Sequence, residues 1–303
     1  LVFFPTILID IQESESKMKK KDFFKKGLQL MIFYIWYKGV LDPRIINGFL
    51  RSAYHTYVSP QILYESPEEG IQKACHTILN TLHMEIIIEK YQQKGTNGKP
   101  VLFVCNHHSY LDLIVLKKLL PKTHVIVKQE TSQEEVFFAF VGMVDYVFEN
   151  WNIIPYSQGD RESGTKVKQQ MAKCWSQGLD VLVFPEGGVK KNMKTPFFPG
   201  SFRLAVSKGI DIQPITLYYN HSNCCADDGE EPFQFDFVEN LKYLANRSNN
   251  RCYLYFHPRI DGSQWTNADF LKSHCEEMML AKWKDYVGRD DRHELESNEI
   301  LTV

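Results

Sequence analysis

Apolar and polar positions change rhythm along this chain. From about residue 70, short apolar runs alternate with stretches whose apolar residues recur three and four positions apart. Residues 68–82 place Ile71, Ala74, Cys75, Ile78, Leu79 and Leu82 on one helical face, and a β-branched run follows at 84–91. After a GTNGK turn at 95–99 come runs at 101–105, 125–127, 151–155, 180–184, 212–218 and 251–257, each short and apolar enough for a buried strand. Helical spacing fills 110–119, 133–141, 162–177, 201–207 and 267–287. The alternation predicts an α/β fold with a mostly parallel central sheet flanked by helices. Residues 67–288 would form that domain and the polar stretch 289–303 a loose tail.

Residues 1–66 read differently. Six lysines fall between Lys17 and Lys26, interleaved with Phe23 and Phe24, and the apolar stretch 28–37 with Trp36 follows at once. Lysines attract anionic headgroups while aromatic rings settle at the boundary between water and lipid, so an N-terminal membrane-associating helical segment is expected. An amphipathic helix packed on the protein's own core would have the same pattern. The 28–37 stretch is about half of the ~20 residues a spanning helix needs, and the opening LVFFPTILI is shorter still.

Composition narrows the classes. A chain of 303 residues, 44% hydrophobic and 24% charged, can bury a large core. Its 35 Lys and Arg against 37 Asp and Glu argue against binding nucleic acid through bulk positive charge. Seven cysteines without a C-x-x-C pair suggest neither a disulfide framework nor a four-ligand zinc site.

Candidate chemistry concentrates at two strand exits. In VLFVCNHHSYLDLIVL, 101–116, a strand ends at Cys105 and delivers Asn106, His107, His108, Ser109 and Asp112 to a turn before a helix. Ligands of open parallel sheets bind beyond the carboxyl ends of strands. Five positions let Asp112, on the first helical turn, reach back to the His107 ring, fix its tautomer and leave the other nitrogen free to take a proton. A helix start capped by Ser109 or Asn106, with Asp112 favoured by the dipole, would read the same. The second exit is FPEGG, 184–188: glycines allow close backbone approach, consecutive N–H groups can hold phosphate oxygens, and Lys190, Lys191 and Lys194 follow.

With FFPGSF at 197–202 and IQPITLYYN at 212–220, these blocks form a constellation that resembles the glycerolipid acyltransferase family, which includes the lysophospholipid and 1-acylglycerol-3-phosphate acyltransferases. The resemblance covers roughly residues 84–220 and lies in the order and spacing of four blocks. It implies that His107 is the general base, that Asp112 orients it, that Glu186 and Gly187 bind the glycerol-phosphate part of the acceptor, and that Pro214 lines the hydrophobic side of the site. It further implies a lysophospholipid acceptor, an acyl-CoA co-substrate, contact with membrane lipids, and no metal or prosthetic group. The expected location is a membrane, the endoplasmic reticulum with the site facing the cytosol.

Three departures qualify it. Gly188 stands where the family usually has Thr. The arginine of the family's second block corresponds to Arg161, or in another register to Gln158. FFPGSF and IQPITLYYN look like the lysophosphatidylcholine branch, HHSYLD like the lysophosphatidic acid branch. A catalytically silent lipid-binding protein that keeps the fold is the alternative reading. Other motifs lead nowhere: the 159–166 stretch has the Lys and Thr of a P-loop in the wrong order, and no G-x-S-x-G or H-E-x-x-H occurs.

Overall fold

The computed structural model describes residues 66–90, 98–109, 111–128, 151–190, 193, 195–220, 244–291 and 301–302. Helix α1 (Pro67–Thr81) opens with matched end chemistry: the Ser66 hydroxyl accepts from Glu69 N–H at 3.3 Å, Pro67 opens the first turn, and Glu68 and Glu69 sit at the positive end of the helix. The remaining helices are α2 (Leu111–Leu119), α3 (Arg161–Ser176), α4 (Gly200–Lys208) and α5 (Ala268–Asp291). The strands are β1 (Met84–Lys90), β2 (Val101–Cys105), β3 (His124–Lys128), β4 (Ile153–Tyr156), β5 (Val181–Val183), β6 (Asp211–Tyr219), β7 (Asn250–Phe256) and β8 (Leu301–Thr302).

The eight strands make one sheet in the order β4-β3-β5-β2-β6-β7-β1-β8. The first five run parallel, β7 reverses against β6, β1 follows β7, and β8 pairs antiparallel with β1. The expected α/β architecture with a mostly parallel sheet is therefore the observed one. All five residues of β2 are buried because both faces of the sheet are covered. Successive side chains of a strand point to opposite faces, and β2 divides accordingly. Val101, Phe103 and Cys105 join α1, α2, Ile215, Leu217 and Tyr219 in one core, while Leu102 and Val104 join α3, α4, α5 and Ile212 in the other.

Pro214, aligned with Val104 in the middle of β6, removes a ladder donor where strands rarely tolerate it. Its carbonyl accepts His257 N–H at 2.9 Å, and pairing with β7 begins only at Ile215. The missing N–H thus falls beyond the β7 ladder. Helix α2 ends on a buried Lys117, whose Nζ donates to the Pro121 and Thr123 carbonyls at 2.9 and 2.7 Å and whose pKa burial lowers to about 7.

Two expectations differ at the C-terminus. Helix α5 runs through Asp291 instead of ending near 287, and Leu301–Thr302, in the stretch read as a polar tail, add the last strand. The N-terminal segment 1–65 and the helix expected at 133–141 lie outside the described residues. Among the described residues no helix is long and apolar enough to cross a membrane.

Candidate active site

Strand β2 leaves the sheet at Asn106, but its ladder does not stop there. The Asn106 amide donates to the Leu217 carbonyl and accepts from the Leu217 N–H, both at 2.8 Å, so a side chain stands in for a peptide group beside β6. Five residues later α2 begins. Between these two anchors, His107 sits at the carboxyl end of the central strand, the location where open α/β sheets bind ligands.

The His107 Nδ1 lies 2.8 Å from Asp112 Oδ2. A carboxylate oxygen can only accept there, so Nδ1 carries the proton and the Nε2 lone pair is left free. The ring is stacked on Phe184 at 4.2 Å between centroids. Asp112 is fully buried, and its Oδ2 also accepts from His108 N–H at 2.7 Å and Ser109 N–H at 3.0 Å. One side chain therefore holds the base and the turn that carries it. Ser109 Oγ accepts from Leu111 N–H at 3.2 Å, acting at the helix start.

The loop after β5 closes over this turn. Lys190 N–H donates to the His107 carbonyl at 2.7 Å, and His108 Nδ1 donates to the Lys190 carbonyl at 2.6 Å. His108 is buried against Trp283 of α5, and burial pushes its imidazole pKa down. Glu186 is buried too, with Oε1 accepting from His107 N–H at 2.9 Å while Oε2 meets no hydrogen-bond partner among the described residues. Burial, with Asp112 nearby, raises its pKa to about 8. Gly187 takes φ +72°, and a Cβ there would lie 2.5 Å from Phe198 Cε2. Its glycine is needed both for the left-handed turn and for the ring that lies over it.

An acyltransferase family model matches residues 84–218, the stretch that carries His107, Asp112, Glu186 and Gly187. Residues 84–218 are an acyltransferase-family domain. Over 120 residues the chain is 32% identical to a 1-acyl-sn-glycerol-3-phosphate acyltransferase of Chlamydomonas reinhardtii, covering 39% of this chain and 34% of that one. It is 29% identical over 123 residues to the human 1-acyl-sn-glycerol-3-phosphate acyltransferase beta, covering 39% and 41%. A lyso-ornithine lipid O-acyltransferase of Pseudomonas aeruginosa matches at 23% over 186 residues, covering 60% and 68%. The chain spans about a third of the length of the algal and Brassica napus relatives it matches, 34% and 36%. The fold is shared with the crystal structure of the 1-acyl-sn-glycerophosphate acyltransferase from Thermotoga maritima, at TM-score 0.50 and 15% identity, over 87% of this chain and 97% of that one.

Within the acyltransferase domain, the expected site residues separate into two groups. His107, Asp112, Glu186 and Gly187 come together as described, with Gly188 next in the same turn and, among the described residues, no atom within 4 Å of where its Cβ would be. Glu186, expected to bind the acceptor, points its hydrogen bond inward at the His107 backbone. Arg161 and Pro214 are not in the cluster. Arg161 is exposed in the first turn of α3, after the Asp160 cap, at the same end of the sheet but three strands away, about 14 Å. A cation is unfavourable at a helix N-terminus, so helix stability does not account for it. Gln158 is exposed in the preceding turn. Pro214 shares the sheet face of Ile212, opposite to the face on which Tyr219 meets the α2 layer. Tyr219 was not foreseen: its hydroxyl donates to Asp112 Oδ1 at 2.8 Å across 107 residues of sequence. Its sequence signal was its place in the apolar block 212–220, which gave no sign of a link to Asp112. Among the described residues no three His, Cys, Asp or Glu side chains group as a metal site, and Cys75, Cys105, Cys174, Cys252 and Cys275 are buried free thiols.

Proposed function

We propose that this protein transfers an acyl group from acyl-CoA to the free hydroxyl of a lysophospholipid, of the lysophosphatidic acid or lysophosphatidylcholine type. The observation that carries the reading is the His107–Asp112 pair at 2.8 Å, with no hydrogen bond to Nε2 among the described residues, at the end of the central strand of an acyltransferase-family domain. The 1-acylglycerol-3-phosphate and lyso-ornithine lipid acyltransferases among its relatives support the acceptor class.

In this reading His107 Nε2 takes the hydroxyl proton as the oxygen attacks the thioester carbonyl. The C–S bond then breaks, coenzyme A leaves as a thiolate, and the proton on the imidazolium passes to the sulfur. No covalent enzyme intermediate is needed. Asp112 keeps the ring oriented and favours the imidazolium as it forms, and a base so placed is worth about 10² to 10⁴ in rate. Arg161 would attract the anionic headgroup from the sheet end it shares with His107. The lysine-rich segment 17–26 would hold the protein to an anionic membrane surface, the proposed location being the cytosolic face of the endoplasmic reticulum.

Thiol release from an acyl-CoA tests the reading. It should require an added lysolipid and should yield the corresponding diacyl lipid. Binding of lysolipid without release, across a panel of headgroups, would instead fit a silent lipid-binding protein.

A further inference from the structure

Asp112 has an uneven set of donors. Oδ2 receives the His107 ring and two backbone N–H groups, whereas the described donor to Oδ1 is a single hydroxyl, that of Tyr219. Tyr219 is only 1% exposed and is the last residue of β6, the strand that the Asn106 amide ties to the end of β2 at Leu217. The sheet itself thereby sets where the hydroxyl stands relative to the carboxylate. No water can replace it without opening the core, since Asp112 and Tyr219 are both buried.

We propose that Tyr219 is a positioning residue for catalysis, the third member of a Tyr219–Asp112–His107 chain that sets both the orientation of the base and its affinity for a proton. The proposal rests on the reading of His107 as the base of an acyl transfer. A hydroxyl on Oδ1 draws carboxylate charge away from the imidazole. Without it, more charge falls on Oδ2, the imidazolium is favoured, and the free base is harder to regenerate at a given pH. The carboxylate also loses the contact that prevents rotation about its own axis.

Other groups facing the pair are Glu186 and Lys190 from the loop after β5, His108 beside it, and Cys105 at the end of β2 with Cys252 behind it on β7. Burial raises the Glu186 pKa to about 8 and the Cys105 thiol well above its ordinary value, so at neutral pH both are largely uncharged.

The test is Tyr219→Phe, which keeps the ring and removes one oxygen. His107 can be titrated by NMR through its ring C–H resonance, assigned by its disappearance in His107→Ala. The midpoint should rise by about 0.5 or more in Tyr219→Phe. It should not respond to the same change in an Asp112→Asn background. In the thiol-release assay kcat should fall about three- to thirtyfold while the lysolipid KM stays within about twofold. A His107 midpoint that superimposes on wild type, or a shift that persists undiminished with Asp112→Asn, overturns the proposal. The NMR measurement needs no turnover, so absence of lysolipid-dependent release in the wild type would refute the acyl-transfer reading separately.

Discussion

Replacing Glu186 by Gln probes how the loop after β5 carries the base. The carboxyl is 2% exposed, accepts from His107 N–H through Oε1, and has a pKa raised from its ordinary 4.5 to about 8. At pH 7 it is about nine-tenths neutral. Above pH 4.5 the unfolded chain has released this proton, while the folded protein holds it until about pH 8. The folded state binds more protons across that window, so stability falls as pH rises through it and levels off beyond. The gap sets a ceiling of about 5 kcal/mol, or about 10 °C in Tm for a chain of this size. Gln keeps the acceptor for His107 N–H and cannot ionise. The melting temperatures of wild type and Glu186→Gln should therefore lie close together near pH 4.5 to 5 and diverge in favour of the variant up to pH 8. Transfer at pH 7 should stay within about threefold of wild type, because the His107 backbone bond is retained. Thermal melts at four pH values between 5 and 8 decide it. A wild-type-to-variant difference that does not change over that range would mean that Glu186 is ionised when folded, and the account of the loop would fail.

Two further outcomes follow from the same geometry. Gly187→Ala places a methyl group against the Phe198 ring and forces φ +72° on an alanine; the half-exposed ring can swing aside, so the backbone strain of about 1–2 kcal/mol should remain as a lowered Tm together with reduced transfer. An unchanged Tm would show that the turn relaxes freely. Arg161→Ala should raise the KM for lysophosphatidic acid about tenfold or more while leaving the acyl-CoA KM alone, with Gln158→Ala nearly silent. Equal and small effects of both changes would remove Arg161 from the acceptor site.

Periodicity made most of the elements of this fold legible, since their apolar faces are local patterns. The direction of β1 was not: the same run of isoleucines can lie parallel or antiparallel, and only the pairing with β7 decides it. His107 and Asp112 could be read because five residues of chain bring them together at a helix start. Glu186 was found as a residue of the site but its role was not, because its partner is a backbone N–H that no side-chain motif records. The roles of Tyr219 and Asn106 were hidden for a related reason, as sheet pairing of β2 with β6 joins positions 111 apart at Asn106 and Leu217. Pro214 was read as a site residue from its block, whereas strand alternation turns it to the other face.

The central claim is that His107 Nε2 is the base and that Asp112 makes it one. Lysolipid-dependent thiol release measured in His107→Ala and Asp112→Asn, beside thermal melts of each, tests this most directly. The account predicts loss of about 10² to 10⁴ in kcat for His107→Ala and nearly as much for Asp112→Asn, with His107→Ala folding close to wild type because its ring is part-exposed. Folded His107→Ala protein that still transfers acyl groups at a rate near wild type would contradict it.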